Sequence, residues 1–254
     1  MSTINIEVCI NAADHHTVRA AVAAAYTGGA STIELCRDMH LEGLTPATDL
    51  IEVARTALGQ RRGLMVMIRP RAGDFSYTAA ERKTMQQQIL AARRAGADGV
   101  VLGILRHGDC RVDTAAMRPL IETAAELGLT VTFHRAFDAA PDAPAALEEI
   151  AELGCQRLLT SGLPWGQPGS ALDGVERLGQ LVGQARQRLE VVIAGGVTPL
   201  NAGEILHRVA ASGGRIGLHA YSGARAHGST TVASVRALVG AVRAWETRNL
   251  PGSS

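Results

Sequence analysis

Thr130 to Asp138 reads T-V-T-F-H-R-A-F-D, a β-branched run that ends in an imidazole and a guanidinium and then meets a carboxylate. Thr130, Thr132 and His134 alternate with Val131, Phe133 and Arg135, the period-two pattern of a strand whose two faces meet different surroundings. A strand that finishes in charge puts ionisable groups where a parallel sheet gives way to loops, and α/β folds place their chemistry there. His134 is therefore a candidate acid/base group, as is His219 at the end of a later strand. Arg135 and Asp138 at this edge, and Ser161 at the end of another strand, are candidate substrate contacts.

Two earlier stretches echo each other. Ile6-Glu7-Val8-Cys9 and Ile33-Glu34-Leu35-Cys36 are both apolar-Glu-apolar-Cys. Paired in parallel, roughly 4.8 Å apart, they would turn both glutamates and both cysteines to one face and Ile6, Val8, Ile33 and Leu35 to the other. Neighbouring thiols can clamp a soft ion such as Cu(I), with Met67 as a third, thioether ligand; equally, a buried cysteine can serve as a small hydrophobe. Carboxylates inside a fold need partners. Arg69, inward on L-M-V-M-I-R, is the partner expected for Glu7 and Glu34, and the network could fix strand register or carry acid/base catalysis. The loop I-R-P-R-A-G-D-F adds Arg71 and Asp74, and its two arginines suit a carboxylate or phosphate. A-G-G-V-T brings Gly195 and Gly196, whose bare backbone can approach phosphate oxygens or merely close a tight turn. His107 and Cys110 share one loop and could approach a metal.

These groups need a frame that gathers them. Eight strand-like runs can be marked: Ile4 to Ile10, Thr32 to Cys36, Leu64 to Arg69, Gly99 to Ile104, Thr130 to His134, Arg157 to Ser161, Val191 to Gly195 and Ile216 to His219. Each precedes a helical pattern, and they recur roughly 30 residues apart, one βα unit at a time. Glycines close the helices just before the next strand, as left-handed C-caps do. A doubly wound sheet is the rival, but no G-x-G-x-x-G follows the first strand and the repeats exceed six. The expectation is a single α/β domain, a (β/α)8 TIM barrel over residues 1–250, with 251–254 as a frayed tail.

Composition removes several alternatives. With 254 residues and 46% hydrophobic content the chain can bury a large core, and with 3% aromatics that core is mostly aliphatic. A net charge of +1, without a Lys/Arg block, leaves no footprint for nucleic acid or an acidic membrane. M-S-T-I-N-I-E lacks an apolar signal region and the apolar runs are too short to span a bilayer, so a cytoplasmic location is expected. The cysteines, Cys9, Cys36, Cys110 and Cys155, lack the spacing of a disulfide scaffold and should be reduced.

Taken in order, E-V-C at Glu7 to Cys9, I-E-L-C at Ile33 to Cys36, G-L-T-P at Gly43 to Pro46, I-R-P-R-A-G-D-F at Ile68 to Phe75, T-F-H-R-A-F-D at Thr132 to Asp138, L-T-S-G at Leu159 to Gly162 and A-G-G-V at Ala194 to Val197 resemble the CutC copper-homeostasis family. The resemblance implies a (β/α)8 barrel, a cytoplasmic homo-oligomer, here expected as a dimer, a role in copper tolerance, and Cu(I) held by the cysteines that fall on Cys9 and Cys36. Ala72 stands where the family commonly has glycine. Two functions follow. One is copper binding by Cys9 and Cys36. The other is an enzyme, a lyase, isomerase or hydrolase, acting on a small anionic metabolite, with Arg69 and Arg71 holding the anion, Glu7, Glu34 and His134 moving protons and His219 assisting.

Overall fold

The computed structural model describes residues 4–249; the expected tail at 251–254 lies outside them. Strands β1 (Asn5–Asn11), β2 (Thr32–Cys36), β3 (Leu64–Met67), β4 (Gly99–Leu102), β5 (Thr130–Phe133), β6 (Arg157–Thr160), β7 (Glu190–Ile193) and β8 (Arg215–Ala220) pair in parallel and in sequence order, and β8 returns to β1 to close a barrel. Helices α1 (His15–Gly28), α2 (Thr48–Leu58), α3 (Ala79–Arg94), α4 (Thr114–Glu126), α5 (Ala143–Glu152), α6 (Val175–Ala185), α7 (Ala202–Val209) and α8 (Val232–Asn249) follow one strand each. This is the (β/α)8 barrel expected from the repeats.

Local chemistry marks the helix ends. Asp14 accepts from the backbone N–H of Thr17 at the start of α1, and Thr78 with Glu81 forms a capping box on α3. The outward residues Ile6, Val8, Ile33, Leu35, Val131 and Phe133 pack beneath these helices in the main apolar core. All eight strands are covered on both faces, which is why they read as short aliphatic runs.

The inward face is less usual. Barrel interiors are dominated by Val, Ile and Leu. Here Cys9, Cys36, Met65, Met67 and Val101 form one small inner cluster and Leu159, Val192 and Ala194 another. Glu7, Glu34, Thr132, Arg157, Glu190 and His219 are buried as well.

Register corrects the simple echo of β1 and β2. Cys9 lies opposite Glu34, and Glu7 opposite Thr32, so the second motif is displaced by one inward position. The tilt of barrel strands then brings diagonal neighbours together. Strand ends also differ from expectation: β3 stops at Met67 and β5 at Phe133. Past β5 the chain enters a 3-10 turn over Arg135–Ala139, which breaks the alternation that had put Arg135 on the helix side.

Candidate functional site

Three sulfurs meet near the mouth. Cys9 Sγ and Cys36 Sγ are 3.5 Å apart, and Met39 Sδ lies 3.1 Å from Cys36 Sγ and 3.8 Å from Cys9 Sγ. Met39 comes from a 3-10 turn after β2, Met39–Leu41, held by its backbone N–H on Asn11 Oδ1. It occupies the thioether position expected of Met67, which packs in the same cluster. The Cys9 thiol is pushed well above its ordinary value by its bond to Cys36, by burial, and by the charges of Cys36 and Glu34.

Beneath the sulfurs a chain of ionisable groups crosses the barrel. Arg157 Nε donates to Glu190 Oε2 at 2.9 Å and its Nη1 to Glu7 Oε2 at 2.6 Å. His219 Nδ1 lies 3.0 Å from Glu7 Oε1 and 3.3 Å from Glu34 Oε2. With Arg157 and His219 cationic, three carboxyls face two positive charges, and burial favours a neutral cluster in which one carboxyl keeps its proton. Glu34 is that carboxyl. Burial raises it, His219 opposes, Glu7 adds to the rise, and it reaches about 7. Burial also raises Glu7, but Arg157 and His219 outweigh it and hold Glu7 at about 2. Burial lowers His219, yet the Glu34 charge and the contacts with Cys9 and Glu7 lift it well above its ordinary value.

Stability should record this arrangement. Glu34 moves from 4.5 to about 7 on folding, so the folded state holds a proton that the unfolded chain releases. Its contribution is complete below pH 4.5 and is lost as pH rises through 7, a fall of about 3 kcal/mol. Urea denaturation at pH 5 and pH 8 should show Glu34→Gln with a flatter profile and greater stability than wild type at pH 8. Parallel profiles for the two proteins would contradict it.

A cavity of about 260 Å³ opens over these groups at the C-terminal end of the barrel. Cys9, Glu34, Met39, Arg69, His134, Arg135, Gly195, Gly196 and His219 all contribute to its wall. His134 stands beside Gly103, where a Cβ would come within 2.7 Å of its Nδ1, so the imidazole needs a glycine at that position. Its Nδ1 accepts from the backbone N–H of Ala136 at 3.2 Å, which places the ring proton on Nε2. Burial first, and the Arg69 charge second, lower His134 to about 3, so the ring is neutral. Phe75 packs against it with ring centroids 5.2 Å apart, and Trp165 stands edge-on to Phe75 at 4.9 Å. Arg135 lies over Trp165, 5.3 Å from its centroid.

The other expected residues sit elsewhere. Arg71 is bound by Glu81 and Asp74 and stacks on Tyr77; neither it nor Asp74 lines the cavity, because that loop uses them to brace its own turn. Asp138 is buried and accepts from Thr160, Ser161 and Arg135, so it and Ser161 position Arg135 from behind the wall. Arg69 is not the partner of the inner glutamates: its Nη1 and Nη2 donate to the carbonyls of Leu41, Gly43 and Gly73. Arg157 takes that role for Glu7, and also pairs with Glu190, while His219 stands beside Glu34. Arg157 begins a strand with the same parity as inward Leu159, and Glu190 begins β7 with the parity of Val192, a signal available from alternation. Met39 had no such signal. His107 and Cys110 are exposed and, among the described residues, join no group of metal-ligating side chains. Two such groups do occur, Cys9 with Glu34 and Cys36, and Glu7 with Glu34 and His219.

Comparison with known proteins fits this geometry. The model of the CutC family matches residues 4–221. A family protein CutC from Vibrio vulnificus (strain YJ016) is 45% identical over 201 residues, covering 79% of this chain and 75% of that one. Another from Xanthomonas campestris pv. campestris (strain 8004) is 45% identical over 178 residues, 70% of each chain. The crystal structure of the putative copper homeostasis protein CutC from Streptococcus agalactiae superposes with a TM-score of 0.73 at 31% identity, over 85% of this chain and 98% of that one. Rubisco from Pyrococcus horikoshii, at 14% identity and a TM-score of 0.70 over 97% of this chain and 59% of that one, shares the fold alone. Among the described residues no helix is long and apolar enough to cross a membrane.

Proposed function

The chain belongs to the CutC family, and from that premise we propose that it binds Cu(I) between the thiolates of Cys9 and Cys36 and the thioether of Met39. The observation that carries this reading is the sulfur triangle, with edges of 3.1, 3.5 and 3.8 Å. A thiolate–metal bond of about 2.3 Å puts three sulfurs around one ion about 4 Å apart, so each edge needs to open by less than about 1 Å. Thiolate and thioether donors select Cu(I) over harder ions. Glu34, the carboxyl grouped with the two thiols, is pushed up to about 7 and so competes weakly as a ligand near neutrality. The likeness to a putative copper homeostasis protein supports the same reading, and reduced thiols suit a cytoplasmic setting.

An anaerobic Cu(I) titration against a competing chelator tests it. Removing a group that merely orients a metal ligand costs about 10- to 100-fold in affinity, so the Cys9→Ser, Cys36→Ser double variant should lose more than about 100-fold. Met39→Leu should lose less. Affinity should also climb with pH, because the raised Cys9 thiol must release its proton to bind. Equal affinity in wild type and the double variant would remove the proposal.

A second reading has its own support. Glu34 on β2 and His134 after β5 approach the cavity from walls three strands apart in an eight-stranded barrel, nearly opposite each other. A carboxyl near 7 and a neutral imidazole with its proton on Nε2 can move a proton and stabilise developing oxyanion charge. This reading makes the protein an enzyme acting on a small anionic metabolite.

A further inference from the structure

Among the described residues Arg69 is a buried cation without a counter-ion. The residue is 2% exposed, its two terminal nitrogens are taken by backbone carbonyls, and among the described residues no carboxylate lies within the 4.0 Å of an ion pair. Carbonyl dipoles solvate such a charge but do not neutralise it, and buried charges in proteins are paired as a rule. Its Nε is buried with no hydrogen-bond partner among the described residues. His134 carries a second orphan: its Nε2, which holds the ring proton, is likewise buried with no partner. Both side chains line the same cavity and share one aromatic neighbour, the guanidinium carbon 5.1 Å and the imidazole centroid 5.2 Å from the centre of Phe75. Two buried, unpartnered N–H donors and one uncompensated positive charge therefore flank Phe75 in the wall of one small pocket.

We propose that this end of the cavity binds an oxyanion, the carboxylate or phosphate group of a small metabolite, with Arg69 Nε–H and His134 Nε2–H donating to its oxygens. The Phe75 and Trp165 rings take the apolar part of the ligand. The volume of about 260 Å³ sets the size class, since pockets for drug-sized molecules run upward from about 300 Å³. Arg69 supplies charge and one direction, because its fork is already spent; His134 supplies a donor that stays neutral and so keeps its acceptor bond to Ala136. The site deepens the acid–base reading, on which it rests for the choice of a metabolite as ligand. Equilibrium binding separates the two: an anion that binds and exchanges no proton leaves the site standing and removes the chemistry.

Isothermal titration calorimetry on the full chain at low salt, with inorganic phosphate, phosphoglycolate, glyoxylate and malonate as probes and glycolaldehyde as the neutral control, reads the site directly. At least one oxyanion should bind one-to-one with an affinity that weakens as salt rises, and glycolaldehyde should not bind. Tightest binding of phosphate and phosphoglycolate identifies a phosphate ligand; tightest binding of glyoxylate or malonate identifies a carboxylate. Loss of a hydrogen bond to a charged group lowers affinity by about 10- to 100-fold, the effect expected of His134→Phe, while the His134 Nε2–H resonance should shift on binding to wild type. Arg69→Met should abolish binding, and Arg69→Lys, which keeps the charge and can still bond the loop carbonyls, should fold and bind weakly. Absence of binding by every oxyanion to folded wild type, or full affinity in both His134→Phe and Arg69→Lys, would overturn the proposal.

Discussion

Replacing Arg157 with alanine should destabilise the fold by about 3–5 kcal/mol, the cost of leaving a buried charge uncompensated. Among the described residues Arg157 is the cation that bonds both Glu7 and Glu190 on the inner wall, at 2.6 and 2.9 Å, while His219 reaches Glu7 but not Glu190. Other donors cannot replace it. Glu190 Oε1 also accepts from Asn5 Nδ2 and Glu7 Oε2 from Thr32 Oγ1, but these carry no charge, and His219 on Glu7 Oε1 already faces Glu34. At about 2–4 °C per kcal/mol for a chain of this size, the melting temperature should fall by at least about 6 °C. The triple variant Glu7→Gln, Arg157→Met, Glu190→Gln should recover much of the loss, because a buried ion network can be exchanged for uncharged groups at little net cost. A triple variant no more stable than Arg157→Ala would show that packing, and not charge, accounts for the loss.

Proton exchange into a carbonyl-bearing substrate should collapse when Glu34 becomes glutamine. In the enzymatic reading the Glu34 carboxylate takes a proton from the carbon beside a carbonyl, the C–H pair forms the enolate, and the His134 Nε2–H that holds the substrate's oxyanion is shared with the adjacent enolate oxygen, as the neighbouring oxygens of a 2-oxo acid allow. The proton then returns to carbon, so no oxidant or cofactor is required. Incubation in D₂O with a panel of sugar phosphates and 2-oxo acids, followed by proton NMR, reads the first half of this reaction for any substrate in the panel. General-base catalysis contributes about 10²- to 10⁴-fold, the loss expected of Glu34→Gln. An oxyanion donor contributes about 10²- to 10³-fold, the loss expected of His134→Phe. The rate should rise with pH and level off above 7, since the base works only when ionised and Glu34 sits at about 7. Exchange that is as fast in Glu34→Gln as in wild type would end this reading.

The proposed exchange and the proposed copper binding would draw on neighbouring parts of one mouth. Cys9 and Met39 line the cavity with Glu34, while Arg69 and His134 stand toward Phe75 and Trp165. A barrel gathers strand ends that are far apart in sequence, and this one brings residues 9, 34, 69, 134 and 219 to a single opening. That convergence was the expectation drawn from the strand ends; Glu34, His134 and His219 line the opening, whereas Glu7 lies beneath it, bonded to Arg157 and His219, and is not part of its wall.

What the sequence determined by itself was the frame and its faces. Aliphatic runs recurring with helix-length spacers dictate a parallel barrel, and strict alternation dictates that Glu7, Cys9, Glu34 and Cys36 point inward, because a strand's side chains alternate whatever it pairs with. Tertiary structure alone decided who meets whom. Stagger set Cys9 opposite Glu34, barrel closure carried Arg157 from the sixth strand to Glu7 in the first, and a loop conformation with no periodic signature brought Met39 to the thiols. Arg69 shows the same limit: its inward direction was legible, but three carbonyls from two loops hold it away from the glutamates and leave its charge for another partner. Periodicity specifies direction along one strand; register, closure and loop path specify contacts, and those depend on pairing between segments distant in the chain.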